Sequence, residues 1–238
     1  MRGLQILCVW VTLGLIALVG AQALQSFDRY AADFRLLTLD SVKKELKVTQ
    51  TQRDKMNRHA DTHAATLNRL QKQFDGAKNK EAESKKIAPQ IANANKKLSD
   101  SVLAELTPVQ LRRLREISLQ SVGPSALADM TIGKQAGLSE AQVRQIRKAI
   151  EAGAAQAEKI QQAAFQRVTQ GMPKERPKDE KKAQELLKEG KRRSDQEAKR
   201  IAPQLERISK DTDAKILAVL TPQQRQTWTG LLGKSFKP

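Results

Sequence analysis

The chain has 238 residues, of which 29% are charged and only 3% aromatic, and its formal net charge is +17. So few aromatic and so many charged residues argue against a thick globular core. The abundance of alanine, lysine, glutamine, glutamate and leucine favours long helices that bury a narrow apolar seam. The net charge predicts attraction to anionic partners, a class that includes acidic proteins, envelope polymers and nucleic acid.

The first part of the chain, residues 1–23, has the pattern of a secretory signal peptide. Arg2 provides the positive start, a mostly apolar run covers residues 4–19, and residues 21–23 read Ala-Gln-Ala, as a signal peptidase site does. We expect cleavage after Ala23 and export to the periplasm or another extracytoplasmic part of a bacterial envelope. The alternative is a retained membrane anchor, but the run is shorter than the ~20 residues of a spanning helix.

The only cysteine, Cys8, lies inside this apolar run, without the small residues before it that a lipoprotein cysteine needs. The exported part, residues 24–238, then contains no cysteine. A disulfide framework, a thiol nucleophile and cysteine-ligated zinc are therefore all excluded. After cleavage we also expect no stable membrane span.

A phrase of the form hydrophobic-Thr/Ser-x-x-Gln occurs four times along the exported part. In such a capping box the Thr or Ser hydroxyl accepts from the N3 amide, and the N3 Gln reaches back to the N-cap amide. In two of the phrases a proline follows the Thr residue, and proline suits the first position of a helix. The residues are Val48, Thr49 and Gln52; Leu106, Thr107, Pro108 and Gln110; Leu138, Ser139 and Gln142; and Leu220, Thr221, Pro222 and Gln224. These positions predict where helices begin.

The four phrases belong to an internal duplication. Residues 86–110 align without a gap with residues 200–224, a shift of 114 positions. The phrase at Val48 aligns with the phrase at Leu138, a shift of only 90 positions. Each repeat therefore opens and closes with the same kind of phrase, and the second repeat is longer than the first.

We predict a first helical-hairpin repeat at residues 24–122 and a second at residues 123–238. The extra length of the second repeat falls at a polar Pro/Lys/Glu break near residues 171–182, where the helical pattern is interrupted. The last helix begins at Pro222 and is expected to end at Gly233.

Between the caps, apolar residues recur at alternating steps of four and three, which predicts two successive long helices in each repeat. A narrow stripe on each helix is what an antiparallel hairpin needs. Pro89 and Pro203 should start or kink the return helix at equivalent places. The outward seams are Met56, Ala60, His63, Leu67, Leu70 and Phe74, then Val143, Ile146, Ile150, Gly153, Ala157, Ile160 and Ala164; the return seams are Ile87, Ile91, Ala94, Leu98 and Val102, then Ile201, Leu205, Ile208 and Ile216. The predicted fold class is all-α, with tandem antiparallel helical hairpins of long amphipathic helices and short helices started by capping boxes.

The four phrases, the signal peptide and the cysteine-free basic chain resemble the Spy/CpxP group of periplasmic proteins, which is named for the LTxxQ motif. The chain also resembles uncharacterised exported bacterial proteins that repeat LTPxQ. The resemblance implies an ATP-independent chaperone or envelope-stress protein whose cradle of helical hairpins holds unfolded clients, or the partner of a sensor. That group usually has one set of two motifs and works as a dimer, whereas this chain carries two sets. We expect either a monomer that is an internal pseudo-dimer or a homodimer.

Two histidines are the candidate metal ligands. His59 and His63 stand at i and i+4, a spacing with which two imidazoles on one helix share a divalent metal. No third histidine, and no carboxylate three or four residues away on that face, completes the ligand set, and His63 also falls on the apolar seam. We therefore expect structural or surface histidines and predict no metal and no cofactor.

The sequence contains no nucleophile elbow, no phosphate-binding glycine loop and no paired acidic motif, so we expect a protein without enzymatic activity. The export signal, the scarcity of aromatics for stacking and the lack of a reading module argue against nucleic acid. We expect an exported binding protein that holds unfolded or acidic clients. The alternatives are a structural envelope protein that binds anionic polymers and a basic nucleic-acid-binding protein.

Overall fold

The computed structural model describes residues 26–173 and 179–237. This part of the chain is all-α and contains no strand, so the predicted fold class is confirmed. The predicted signal peptide lies outside the described residues, as does a short piece of the predicted polar break, residues 174–178.

The described residues form two compact units. One unit contains the chain up to Ser121 together with Leu231 onward, and the other runs from Val122 to Gly230. The first change of unit falls one residue from the predicted boundary between the repeats. The C-terminal residues, however, were assigned to the second repeat by the sequence, and the structure places them in the first unit.

The first unit is built on a long antiparallel hairpin. Its two arms, α2 (Gln50–Gly76) and α3 (Lys80–Ala104), pack against each other. The capping box at Thr49 starts α2, and the Asn79 side chain starts α3 by accepting from the Ala82 amide at 3.0 Å. After residues 26–31, which are helical, the elements are a 3-10 turn Phe34–Thr38, α1 Asp40–Glu45, α2 Gln50–Gly76, α3 Lys80–Ala104 and α4 Pro108–Val122.

The core of the first unit sits at the base of this hairpin. There the ends of α2 and α3 meet the short helices that flank them, and one cluster of apolar side chains is buried among them. Along the arms burial is thinner: Leu70 and Ile87 are buried, while the predicted seam residues Ala60 and Ile91 are exposed. The buried cluster consists of Leu37, Val42, Leu46, Val48, Met56, Val102, Leu103, Leu106, Leu111, Leu114 and Ile117.

The C-terminal segment is fastened to the first unit by hydrogen bonds to α4. The Gln120 side-chain amide donates to the Leu232 carbonyl at 2.6 Å and the Lys234 carbonyl at 2.8 Å, and its oxygen accepts from the Phe236 amide at 2.8 Å. Arg115 donates to the Leu231 carbonyl. These side-chain bonds join the segment to a distant part of the chain, and no periodicity in the sequence indicates them.

A buried ion pair also holds the first unit together. Arg115 Nε donates to Asp28 Oδ1 at 3.1 Å, and both side chains are more than nine-tenths buried. The pair ties the helical residues at the start of the described chain to α4.

The second unit repeats the hairpin with longer arms. Its arms are α6 (Glu140–Thr169) and α7 (Glu180–Ala218). Asp179 caps α7 by accepting from the Lys182 amide at 2.8 Å, and α6 ends at Thr169, so the described edges of the interruption fall near the predicted break at residues 171–182. The elements are a 3-10 turn Gly123–Ala128, α5 Met130–Gln135, α6 Glu140–Thr169, α7 Glu180–Ala218 and α8 Pro222–Leu232. The chain leaves α8 through Gly233, whose φ of 62° is typical of a helix end, so the predicted end is confirmed.

The two prolines of the return arms lie inside their helices: Pro89 is within α3 and Pro203 is within α7. Of the two predicted roles, the helix start is excluded, because Asn79 and Asp179 cap those helices well before the prolines. The kink stays a prediction. Each proline removes one internal hydrogen bond from a helix that continues past it.

Candidate functional site

All four hydrophobic-Thr/Ser-x-x-Gln phrases form the capping boxes that their residue types favour. At the first, Thr49 Oγ1 accepts from the Gln52 amide at 3.2 Å and Gln52 Oε1 accepts from the Thr49 amide at 3.0 Å. The same two bonds form at Thr107, at Ser139 and at Thr221. Each phrase therefore fixes the first turn of a helix.

In the first unit the glutamines of the two phrases also bond to each other. Gln52 Nε2 donates to Gln110 Oε1 at 2.8 Å, and Gln110 Nε2 lies 3.2 Å from Gln52 Oε1. Each amide group donates in addition to a backbone carbonyl beside the other phrase: Gln52 to Glu105 at 2.7 Å and Gln110 to Leu46 at 3.0 Å. We call the pair Gln52 and Gln110 the first glutamine clasp.

The second unit contains the same arrangement, the second glutamine clasp, formed by Gln142 and Gln224. The two side chains exchange hydrogen bonds of 2.9 and 3.1 Å. Gln142 donates to the Val219 carbonyl at 3.0 Å and Gln224 donates to the Gly137 carbonyl at 2.6 Å. Each clasp thus joins the start of the outgoing arm to the helix that follows the return arm.

The clasps use up the hydrogen-bonding capacity of the motif residues. Each glutamine oxygen accepts from its own N-cap amide, and each glutamine NH₂ group donates across the pair and to a carbonyl. The four glutamines therefore stabilise their own hairpins and leave no hydrogen-bonding group for a ligand. The sequence predicted the capping boxes but missed the cross-pairing, although two such phrases bracketing one antiparallel hairpin must meet at its base.

The histidines lie on α2, on the face turned toward α3. His59 Nε2 lies 3.1 Å from Glu105 Oε1, and Lys55 Nζ lies 3.1 Å from Glu105 Oε2. Hydrogen bonds from His59 and Lys55 lower the pKa of Glu105 below its ordinary value of 4.5. The sequence missed this carboxylate because it comes from the far end of the return arm.

His63 has a different environment. Its Nδ1 atom is buried and has no hydrogen-bond partner among the described residues. Within residues 26–173 and 179–237, no group of three or more histidine, cysteine, aspartate or glutamate side chains is placed to hold a metal ion. His59 and Glu105 are therefore a hydrogen-bonded pair, and His63 is a lone imidazole facing an open space.

That open space is a groove between α2 and α3, which we call the first-hairpin groove. Its polar end is a cavity of about 430 Å³ lined by His63, Arg69, Asn93 and Lys97 among others. Its apolar end is a cavity of about 380 Å³ lined mostly by aliphatic and aromatic side chains, Phe74 included. Leu70 lines both cavities, so the two ends adjoin along the arms.

The residues at the crossing of the arms explain why the first hairpin is open. The shifts of 90 and 114 positions place Gly153 at the equivalent of His63 and Thr212 at the equivalent of Leu98. A Cβ atom built on Gly153 would lie 3.4 Å from Thr212 Cβ and would clash with Thr212 Oγ1, so α6 and α7 approach closely there. An imidazole and a leucine at the same crossing need more space between the arms.

Outside the groove, many charged side chains are paired along the helix surfaces. Arg192 and Arg193 both bond to Glu189 and lower the pKa of its carboxyl group to about 2. Such exposed pairs at i and i+3 or i+4 contribute little to stability, because solvent screens them. They are what the interleaved charges of the sequence indicate, a solvated helix face.

Comparison of the chain with protein-family models, with curated proteins and with solved structures finds no match. Among the helices of the described residues, none has the length and apolar character needed to cross a bilayer.

Proposed function

We propose that the protein is an exported, non-enzymatic binding protein that holds unfolded or acidic client proteins without ATP. The observation that carries the proposal is the large apolar surface that two-helix arms leave in contact with solvent. In the second hairpin, Ile160, Leu205 and Ile208 are only half-buried on the seam, and Phe165 and Leu187 are each 68% exposed.

The charge of the protein supports the same proposal. The formal net charge of +17 steers acidic segments toward the helices from a distance, and the exposed apolar side chains then contact apolar parts of the client. Both contributions are reversible and need no nucleotide. The expected association is fast and weakens as salt screens the charges.

The test is suppression of aggregation. The protein is purified after export, and a chemically unfolded test protein is diluted into it at low and at moderate salt, with light scattering as the measurement. We expect suppression near equal molar ratios, stronger at low salt. The double variant Phe165→Ser with Leu187→Ser should suppress less, and Ala155→Ser, at an exposed position on the same arm, should behave as the unchanged protein.

Absence of suppression at both salt concentrations would contradict the proposal. If suppression occurs but an anionic envelope polymer or nucleic acid abolishes it in competition while the Ser variants leave it unchanged, charge alone is the determinant and the client proposal fails. An intact mass that starts at Leu24 would support the export step. The mass of the particle in solution separates the internal pseudo-dimer from a homodimer.

A further inference from the structure

The first-hairpin groove is long, narrow and chemically divided. From His59 to Phe74 its lining follows α2 for fifteen residues, or about 22 Å at the rise of an α-helix. That length exceeds an extended dodecanoate chain, which therefore fits along the groove. The two cavities adjoin at Leu70, so an elongated ligand that occupies both must pass over this side chain.

The polar end offers positive charge and hydrogen-bond donors. Arg69 and Lys97 line it, and neither forms an ion pair within the part of the chain that the structure describes. Asn93 adds a side-chain amide, and His63 also lines this end, although its unpartnered Nδ1 atom is buried. No carboxylate is among the described residues that line this end. An anionic group fits these surroundings, whereas a cation would meet only like charge.

The apolar end has the opposite character. Leu67, Leu70, Phe74, Ile87 and Ile91 line it, and no charged side chain is among the described residues there. Ile91 is 37% exposed, so apolar surface remains in contact with water. A hydrocarbon chain laid along this end would remove that surface from water, which is the main source of favourable free energy for such a ligand.

We propose that the first-hairpin groove binds one single-chain anionic amphiphile, of the long-chain carboxylate class. The carboxylate lies at the polar end, where Arg69 and Lys97 supply positive charge, and the hydrocarbon chain runs toward Phe74. Charge complementarity at one end, an uncharged apolar surface at the other and the length between them favour this occupant. The proposal does not depend on client binding, which is assigned to exposed side chains that do not line the groove.

The second repeat supplies the substitution that tests the groove. The shift of 114 positions aligns Ala94, which lines the polar end, with Ile208. Ala94→Ile therefore introduces a side chain that the chain already uses at the equivalent position and fills space at the polar end. Ala92→Ile makes the same chemical change at an exposed position of the same helix that does not line the groove.

The experiment is a calorimetric titration of the full exported protein with dodecanoate below its micelle concentration. We expect saturable binding of one molecule per chain. Ala94→Ile should weaken the affinity at least about tenfold by overfilling the site. Lys97→Gln should weaken it about fivefold, the limit for one exposed charge, while Lys96→Gln on the neighbouring position should not.

Three ligands and one property of the variants make the result decisive. Hexanoate keeps the charge but lacks the chain, and dodecyltrimethylammonium keeps the chain but reverses the charge, so both should bind at least about tenfold more weakly. Equal binding by either ligand, no saturable binding of dodecanoate, or equal affinities of the Ala94 and Ala92 variants would each overturn the proposal. If an acidic amphipathic peptide binds with sensitivity to Ala94→Ile and dodecanoate does not bind, the groove is a peptide site. Unchanged helical content in both variants shows that the comparison concerns the groove.

Discussion

The second glutamine clasp predicts a measurable coupling between two residues that are far apart in sequence. Gln142→Ala and Gln224→Ala each remove a bond to the N-cap amide, a bond to a carbonyl and the exchange between the two side chains. Each substitution thus removes four hydrogen bonds, and because they are partly exposed each contributes about 0.5 kcal/mol, the low end of the usual range. Either substitution should therefore lower the free energy of unfolding by about 2 kcal/mol.

The double substitution should cost less than the sum of the single ones. The exchange between Gln142 and Gln224 is lost in either single variant and can be lost only once, so the sum counts it twice. We expect a coupling free energy of about 1 kcal/mol and a double variant destabilised by about 3 kcal/mol rather than 4.

Trp228 makes the measurement possible in the intact protein. It is 3% exposed and lies in the second unit, four residues after Gln224, and the other tryptophan, Trp10, lies in the predicted signal peptide. Urea unfolding followed by tryptophan fluorescence therefore reports on the unit that contains the clasp. Gln156→Ala, at an exposed position of α6, is the control and should change stability by less than about 0.5 kcal/mol.

Strictly additive effects would refute the reasoning. If the coupling free energy is below about 0.3 kcal/mol, the two glutamines act only as separate helix caps and the exchange between them contributes nothing. A large loss in Gln156→Ala would show that the assay responds to any glutamine on the arm.

Three further predictions concern close packing, a buried ion pair and pH. Gly153→His should lower the free energy of unfolding by about 2 kcal/mol, because α6 and α7 leave no room for a side chain there. Ala154→His, at the exposed neighbouring position, should lower it by less than about 0.5 kcal/mol. Urea unfolding of the two variants makes the comparison. Asp28→Ala should destabilise the first unit by about 3 kcal/mol, since it leaves Arg115 buried without its counter-charge, and faster amide exchange in α4 would reveal the loss. The carboxylate of Glu105 has a lowered pKa, so its contribution to stability is complete above its unfolded value and is lost as the pH falls through the lower folded value. The difference in melting temperature between the unchanged protein and Glu105→Gln should therefore shrink from about pH 6 to about pH 3; a constant difference would contradict this.

The sequence was sufficient where local chemistry decides the structure. Thr49 and Gln52 are three positions apart, and the geometry of a first helical turn brings their groups together whatever the rest of the chain does. Gly233 likewise ends a helix because its own φ is positive. Helix starts, the final helix end and the all-α class therefore followed from short stretches of residues.

The sequence was not sufficient where distant residues decide. Nothing near His59 indicates Glu105, and nothing near Gln120 indicates Phe236, since each partner arrives from another part of the fold. The sequence left a helix start and a kink open at the two prolines, because a proline inside a helix and a proline at its start look alike when the cap lies further upstream. The groove was also missed, because periodicity marks which residues face a seam but carries no measure of the distance between its arms.

In each hairpin the residues that set the register of the helices differ from the residues that pack between the arms. Each clasp takes its bonds from backbone groups and from the partner glutamine, so register at the base does not require particular residues further along the arms. At the crossing of the arms one repeat has an imidazole and the other a glycine, although both hairpins have the same glutamine clasp at the base. The base of each hairpin is therefore independent of the residues along its arms. After duplication, the arms of each copy were free to change, and with them the ligand that each hairpin binds, while the clasp kept the helices in register.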